Sequence, residues 1–404
     1  MSAPLTVDVV RTPARTTRFT GPVPVTAVLM AAVLLTVSHL YVTIPLVSDV
    51  AGSLGTTVTT AAWIGSAFGL AFAVGNLVFP TLSDHVDPRA VMTFGLIAVA
   101  VTDLAAGFAP NVESLVTART VQGFVAPALP PVALAYLPRV LPERVRATAL
   151  AVLSTSYLLS GIVGQAWGLL LEPAGWNWAL WGLAPLLAVA AFLIPRLPAA
   201  ERSAAAGSPG RALATMVGMF RRPQILVAYT AALTLLLTFV GMYVALEAHS
   251  AELGATGPVT GLLLRLPGLP GIVLGAFAGV FVRRWGPHRT AGVAFLGAAA
   301  GLAIEALGGP VWVTLAGSAV FVAGLAVVVP AAVTVVGTAS GQARGAGMAG
   351  YAFLIGVGAS LGPLLAGALA GAGFGVTCWV LAAVLLVPAA TFLIGGRRAG
   401  AVTR

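Results

Sequence analysis

The chain of 404 residues has a formal net charge of +9, yet only 8% of its residues are charged, 59% are hydrophobic and the mean hydropathy is +1.00. Soluble domains carry roughly a quarter of their residues as charges, so this chain cannot coat a water-facing surface, and its sparse arginines set in apolar sequence do not make a nucleic-acid-binding face. The single cysteine, Cys378, excludes an internal disulfide framework and any multi-cysteine metal site, and no lysine is present.

A helix needs about 20 apolar residues to cross a bilayer, and apolar runs between charged or Pro/Gly-rich breaks recur along the whole chain. In order they lie near Pro24 to Val47, Val58 to Phe79, Ala90 to Ala109, Ser114 to Leu137, Thr148 to Leu171 and Trp176 to Ile194. Six more follow near Ile225 to Leu246, Val259 to Val282, Thr290 to Leu307, Val311 to Val336, Gly347 to Ala370 and Val376 to Ile394. The runs are long and do not alternate in polarity, which selects helices over outer-membrane strands. The expected fold is an all-α polytopic membrane protein with 12 transmembrane helices in two six-helix bundles.

With an even count of spans, nearly all arginines fall on one side, and the opposite loops hold Asp49, Glu113, Glu172 and Glu252 but no arginine. Positive loops stay in the cytoplasm, so both termini are expected there, in a bacterial inner membrane. The first run is too long for a signal-peptide core and reads as a retained helix. The expected organisation is a tail over 1–22, a bundle over 23–194, a cytoplasmic loop over 195–224, a second bundle over 225–395 and a tail over 396–404. Within the loop, Arg211 to Phe220 reads either as a short amphipathic helix on the inner leaflet or as a plain tether.

The halves repeat. Arg146 and Arg344 are separated by the same offset as Gly164 and Gly362, and a nearly equal offset lays the loop beginning at Pro80 over the one beginning at Gly279. With Pro80, Leu82, Asp84 and Arg89 in the loop after the second span, and "RTVQG" from Arg119 to Gly123 in the fourth, the sequence resembles the major facilitator superfamily, in particular its twelve-helix drug and metabolite:proton antiporters. The loop departs from the family pattern at Pro80, His85 and Asp87.

This resemblance implies a secondary active transporter that works by alternating access. Its partners would be a small amphipathic or drug-like substrate, protons and membrane lipids, with no cofactor, no metal and no nucleic acid, and it would act as a monomer. It also implies that Asp84 and Arg89 gate the two bundles, the alternative being a solvated turn. Arg119, with Gln122 on nearly the same helix face, is implied in proton movement or substrate binding, the alternative being a structural arginine tied to backbone carbonyls.

Counted at 1.5 Å per residue, His39, Asp103 and Arg119 lie about 12, 10 and 9 Å from the same membrane face, in one layer. Histidine titrates near neutral pH, which makes His39 the preferred proton sensor, or else a packing histidine. Asp103 is expected to neutralise Arg119 on the next helix. Arg265, Glu247 and Glu305 lie nearer helix ends, Arg265 as a cavity candidate and Glu305 as an interfacial residue.

Gly161, Gly164 and Gly168 in the fifth span, with Gly358, Gly362 and Pro363 in the eleventh, read as close-packing or bending positions between bundles. Gln165 stands where the exporter motif has proline, and only the eleventh span keeps the Gly-Pro pair. "GASLG" at Gly358 to Gly362 matches a serine-hydrolase motif at Ser360, but that motif needs a strand-to-helix turn, so the protein is expected not to be an enzyme. The alternatives are an importer of a sugar or organic acid on the same fold, and an intramembrane serine hydrolase.

Overall fold

The computed structural model describes residues 21–200, 209–254 and 257–402, all of them helical or in short connections. The expected N-terminal tail, part of the central loop and the last two residues lie outside the described residues.

Among the described residues, ten helices are long and apolar enough to cross a membrane. We label these in chain order, together with a shorter apolar helix and a bent helix pair. The first, α1, is Pro22–Ser38. The next five are α2 Val58–His85, α3 Pro88–Gly107, α4 Val112–Val140, α5 Glu143–Ala174 and α6 Trp176–Arg196. The second half holds α7 Pro223–Ala248, α8 Val259–Gly275 with Ala278–Trp285, α9 Pro287–Ala306, α10 Val311–Ala339, α11 Gly345–Ala372 and α12 Phe374–Gly395. The two pieces of α8 meet at 49°. The helix α1 has 17 residues and is apolar throughout, and the chain beyond it continues through a 3-10 turn, Ile44–Leu46, into Val47–Ser53.

The expected first span to Val47 is therefore interrupted, and the reason is local. Pro45 lacks an N–H and its ring opposes the carbonyl four residues earlier, while Val42, Thr43 and Ile44 are β-branched. The helix ends at His39, and its last carbonyls are released from the i→i−4 ladder. Pro127 and Pro130 break α4 in the same way, at the 3-10 turn Ala126–Ala128.

Lipid-facing positions such as Phe94, Ile97, Val101 and Phe192 are exposed apolar side chains, whereas the polar residues His39, Asp103, Arg119, Gln122 and Arg265 are buried. Exposed hydrocarbon is stable only in lipid, so the molecule is a multi-pass membrane protein. Between the halves, α2 runs along α11 and α5 along the Pro258–Arg265 and Gly268–Ala276 parts of α8. The backbones are so close that a Cβ on Gly69 would lie 2.8 Å from the Ser360 nitrogen, and one on Gly356 2.8 Å from Ala73 Cα.

The central loop forms a helix, Pro209–Met219, which packs on both α2 and α11. Met216 and Met219 are buried, and Phe220 stacks on Tyr229 with centroids 4.8 Å apart. At the arginine-rich end the loop is thus docked on the two halves, not a free tether.

Candidate functional site

The motif around Arg119 is built by helix contact. Gly123 lets α4 lie directly on α2, since a Cβ there would fall 2.3 Å from the Phe68 carbonyl oxygen. That approach sets the Arg119 guanidinium over the Phe68 ring, 4.2 Å from its centroid. Its Nη2 donates to the His39 carbonyl oxygen at 2.6 Å, which the break in α1 has freed, and its Nε donates to Ile64 O at 3.3 Å. Its Nη1 donates to Gln122 Oε1. One planar fork thereby ties α1, α2 and α4, a geometry that a lysine point charge cannot reproduce.

Gln122 turns this contact into a relay. With its oxygen taken by Arg119, its Nε2 donates to Asp103 Oδ1 at 2.7 Å. The other carboxylate oxygen, Oδ2, lies 2.9 Å from His39 Nε2, and His39 Nδ1 lies 2.9 Å from Leu35 O. The predicted layer is therefore a single sealed network. The pairing within it differs from expectation, because Asp103 meets His39 and Gln122 and reaches Arg119 only through the amide. The reason is the turn at His39, which swings the imidazole toward α3.

The heavy atoms constrain the protons. A backbone carbonyl only accepts, so His39 Nδ1 carries a hydrogen, and one further proton must lie between Nε2 and Asp103 Oδ2. It resides either on the imidazole, giving an ion pair, or on the carboxyl, giving a neutral pair. Without it, a nitrogen lone pair would face a carboxylate in a fully buried site, or the ring would have to give up Leu35.

A second buried cation crosses between the halves. Arg265 on α8 donates from Nε to Gln165 Oε1 of α5 at 2.8 Å, from Nη1 to Gly261 O at 2.8 Å and from Nη2 to Glu247 of α7. Gln165 Nε2 donates to Gly161 O at 2.8 Å, which aims its oxygen at the arginine. Nearby, Tyr41 of the first half meets Phe239 of α7 edge to face at 5.8 Å. These contacts close the arginine-poor end. Beneath them is a cavity of about 40 Å³, lined chiefly by Tyr41, Tyr157, Phe239, Tyr243 and Leu325, apolar and aromatic in character. Arg265 was expected to line it, but is instead spent on the cross-half contact.

Residues 28–250 and 237–402 both match the family model described as Major Facilitator Superfamily. The chain belongs to this superfamily. It is similar to an uncharacterized MFS-type transporter of Mycobacterium tuberculosis, 35% identical over 144 residues, or 34% of this chain and 25% of that one. It is also similar to the puromycin resistance protein of Streptomyces alboniger, 30% over 216 residues, covering 51% of this chain and 43% of that one. The methylenomycin A resistance protein of Streptomyces coelicolor is 29% identical over 246 residues, covering 56% and 49%. In each case the aligned stretch spans less than half of the relative's length. Among solved structures, a bacterial homologue of the human lysosomal transporter Spinster, inward-facing and unoccupied, superposes with a TM-score of 0.73 at 14% identity, covering 93% of this chain and 97% of that one.

In this superfamily member the two loop residues implied in gating are held separately. Asp84 Oδ1 lies 3.1 Å from Arg139 Nη2 at the end of α4. Arg89 is held by Asp87, which also caps α3, and donates from Nη1 to Leu197 O at 2.9 Å at the end of α6. Both contacts lie within the first half. The helix α2 runs to His85 and carries Asp84 on its last turn, where Arg139 is within reach, while the short connection leaves Arg89 beside Asp87.

The glycine positions also sort differently. Gly164 and Gly168 press α5 onto the α1 strand of chain at Ser38 and Val42, and Gly358 and Gly362 press α11 onto α7 at Leu233 and Leu237. These are repeat-related contacts within each half. Gly161 faces Phe239 of the other half, and Pro363 lies opposite Gly65 of α2. Close backbone approaches between the halves rest on Gly69 and Gly356, whose signal in the sequence was only a glycine in a span. Ser360 sits inside α11 with its hydroxyl buried and, among the described residues, without a hydrogen-bond partner, and both His39 nitrogens are engaged elsewhere.

Proposed function

We propose that this transporter is a proton-driven exporter of small amphipathic, drug-like molecules in a bacterial cytoplasmic membrane, acting as a monomer by alternating access. The observation that carries the reading is the sealed His39–Asp103–Gln122–Arg119 network, in which the shared proton is a condition of the packing. Loss of that proton removes a bond between α1 and α3, and so favours a rearranged first half. Protonation and the arrangement of the helices then change together, which is what coupling requires. Export is supported by the resistance proteins among the relatives, and an aromatic substrate by the tyrosine-lined cavity, which must widen to admit one. The test is accumulation of puromycin, chloramphenicol and other aromatic antibiotics in cells lacking their own exporters, with and without a protonophore. Lower accumulation that the protonophore reverses supports export; gradient-driven uptake would instead indicate an importer.

On this reading the arginine-rich end is cytoplasmic and the Gln165–Arg265 contact is the external gate. A hydrogen bond to a charged group contributes about 1.5–3 kcal/mol, so Gln165→Ala should shift the open-to-closed ratio at that end by roughly 10- to 100-fold. In a Cys378→Ser background, a cysteine at Ile162, which lines the cavity, should become labelled by a membrane-impermeant maleimide added outside intact cells once Gln165 is replaced. Labelling that does not change with Gln165→Ala would remove the gate from the reading.

A further inference from the structure

Glu305 on α9, expected at the membrane interface, is buried with 1% of its surface exposed. One carboxyl oxygen, Oε2, receives the Cys378 thiol of α12 at 3.6 Å, and the other, Oε1, has no hydrogen-bond partner. The space it occupies is created by the repeat. Gly317 on α10 stands at the position equivalent to Arg119, and a Cβ there would lie 2.7 Å from Glu305 Cγ. Where the first half places a guanidinium, the second half has removed the side chain and filled the space with a carboxyl.

Among the described residues, no cation is hydrogen-bonded or ion-paired to Glu305. The helix α10 faces Glu305 with Gly317 and α12 with the Cys378 thiol, and Tyr243 of α7, beside Ser318, lies within electrostatic reach of Glu305. Arg265 also acts on Tyr243, but its donors are taken by Gln165, Gly261 and Glu247. The Ser318 and Tyr243 hydroxyls are, like Glu305 Oε1, buried without hydrogen-bond partners. A bare carboxylate in such a place costs several kcal/mol, a cost that protonation removes. Tyr243 also lines the central cavity, so it is the layer that separates Glu305 from the substrate space.

We infer that Glu305 is a second proton-binding site, a neutral carboxyl in the second half that releases its proton to water when the cavity opens past Tyr243 and takes one back before it closes. The step breaks the carboxyl O–H bond, passes the proton to water of the opened cavity and leaves a carboxylate facing it. It rests on the proposed proton-driven transport, and adds a site the first-half network does not contain.

The chain's one thiol makes this measurable. In infrared spectra of the purified full-length protein, the S–H band of Cys378 should shift as pH rises, in step with loss of a carboxyl C=O band. Both changes should be absent in Glu305→Gln, whose amide has the shape of the neutral acid and should preserve the fold, and both should persist in Glu305→Asp. In vesicles, Glu305→Gln should lower the proton:substrate ratio by one. An S–H band in the wild type that does not move with pH over the range where the protein stays folded, or a ratio left unchanged in Glu305→Gln, would overturn the inference. Neither result would touch the transport reading, which fails separately if wild-type efflux ignores the proton gradient.

Discussion

Replacing Asp103 by Asn is expected to abolish proton-gradient-driven efflux, by about 100-fold or more, which corresponds to about 2.7 kcal/mol of lost coupling, while substrate binding without a gradient persists. The side chain keeps its shape and can still accept from Gln122 Nε2, which now lies 2.7 Å from Oδ1. What it loses is the capacity to share a proton with His39 across the 2.9 Å contact. In the wild type the closed network needs that proton. In Asp103→Asn the amide can donate permanently to Nε2, and the conformational response to pH should flatten. His39→Gln should flatten it as well, because its amide can donate to a carboxylate without titrating. The measurement is efflux of an antibiotic identified by the accumulation screen, across a pH series, alongside cysteine accessibility at Ile162. Wild-type pH dependence and full driven efflux in both variants would place coupling outside this pair.

Arg119→Ala should have the second large effect, and on stability as well as transport. It strips the donor from His39 O, Ile64 O and Gln122 Oε1 at once. A buried acceptor left without a donor costs about 1–3 kcal/mol, and in a membrane protein some of it is recovered when neighbours find other partners. Arg119→Lys keeps the charge but can serve these acceptors on three helices only in part, so its melting temperature in detergent should fall between wild type and Arg119→Ala, with driven efflux lost in both. The double variant Arg119→Ala/Asp103→Asn distinguishes roles. If it regains full driven efflux, the network is a charge-neutralising brace, and coupling lies elsewhere.

The amino-acid sequence by itself determined the membrane class, the apolar spans, the repeated halves and the set of polar residues that share one layer. These features are local or periodic: hydropathy over about 20 residues selects a spanning helix, and counting along its axis gives depth. Depth alone brought His39, Asp103 and Arg119 to the same level.

Which of them touch was decided only by the tertiary structure, because that depends on the direction each side chain takes around its helix and on where helices break. Pro45 was the visible signal for the break that turns His39 onto Asp103 and frees its carbonyl for Arg119, but its consequence required α3 and α4 to be in place. Gln165 was legible as a departure from a glycine-proline pattern, while its bond to Arg265 exists only because α5 and α8 meet across the halves. Asp84, read from the sequence only as a gating residue, pairs with Arg139 because the end of α4 lies beside the last turn of α2. Glu305 shows the limit most clearly. Its place near a helix end suggested an interface, yet the glycine opposite it on α10 admits the side chain into the bundle, and burial of a carboxyl is a property of the neighbours packed around it.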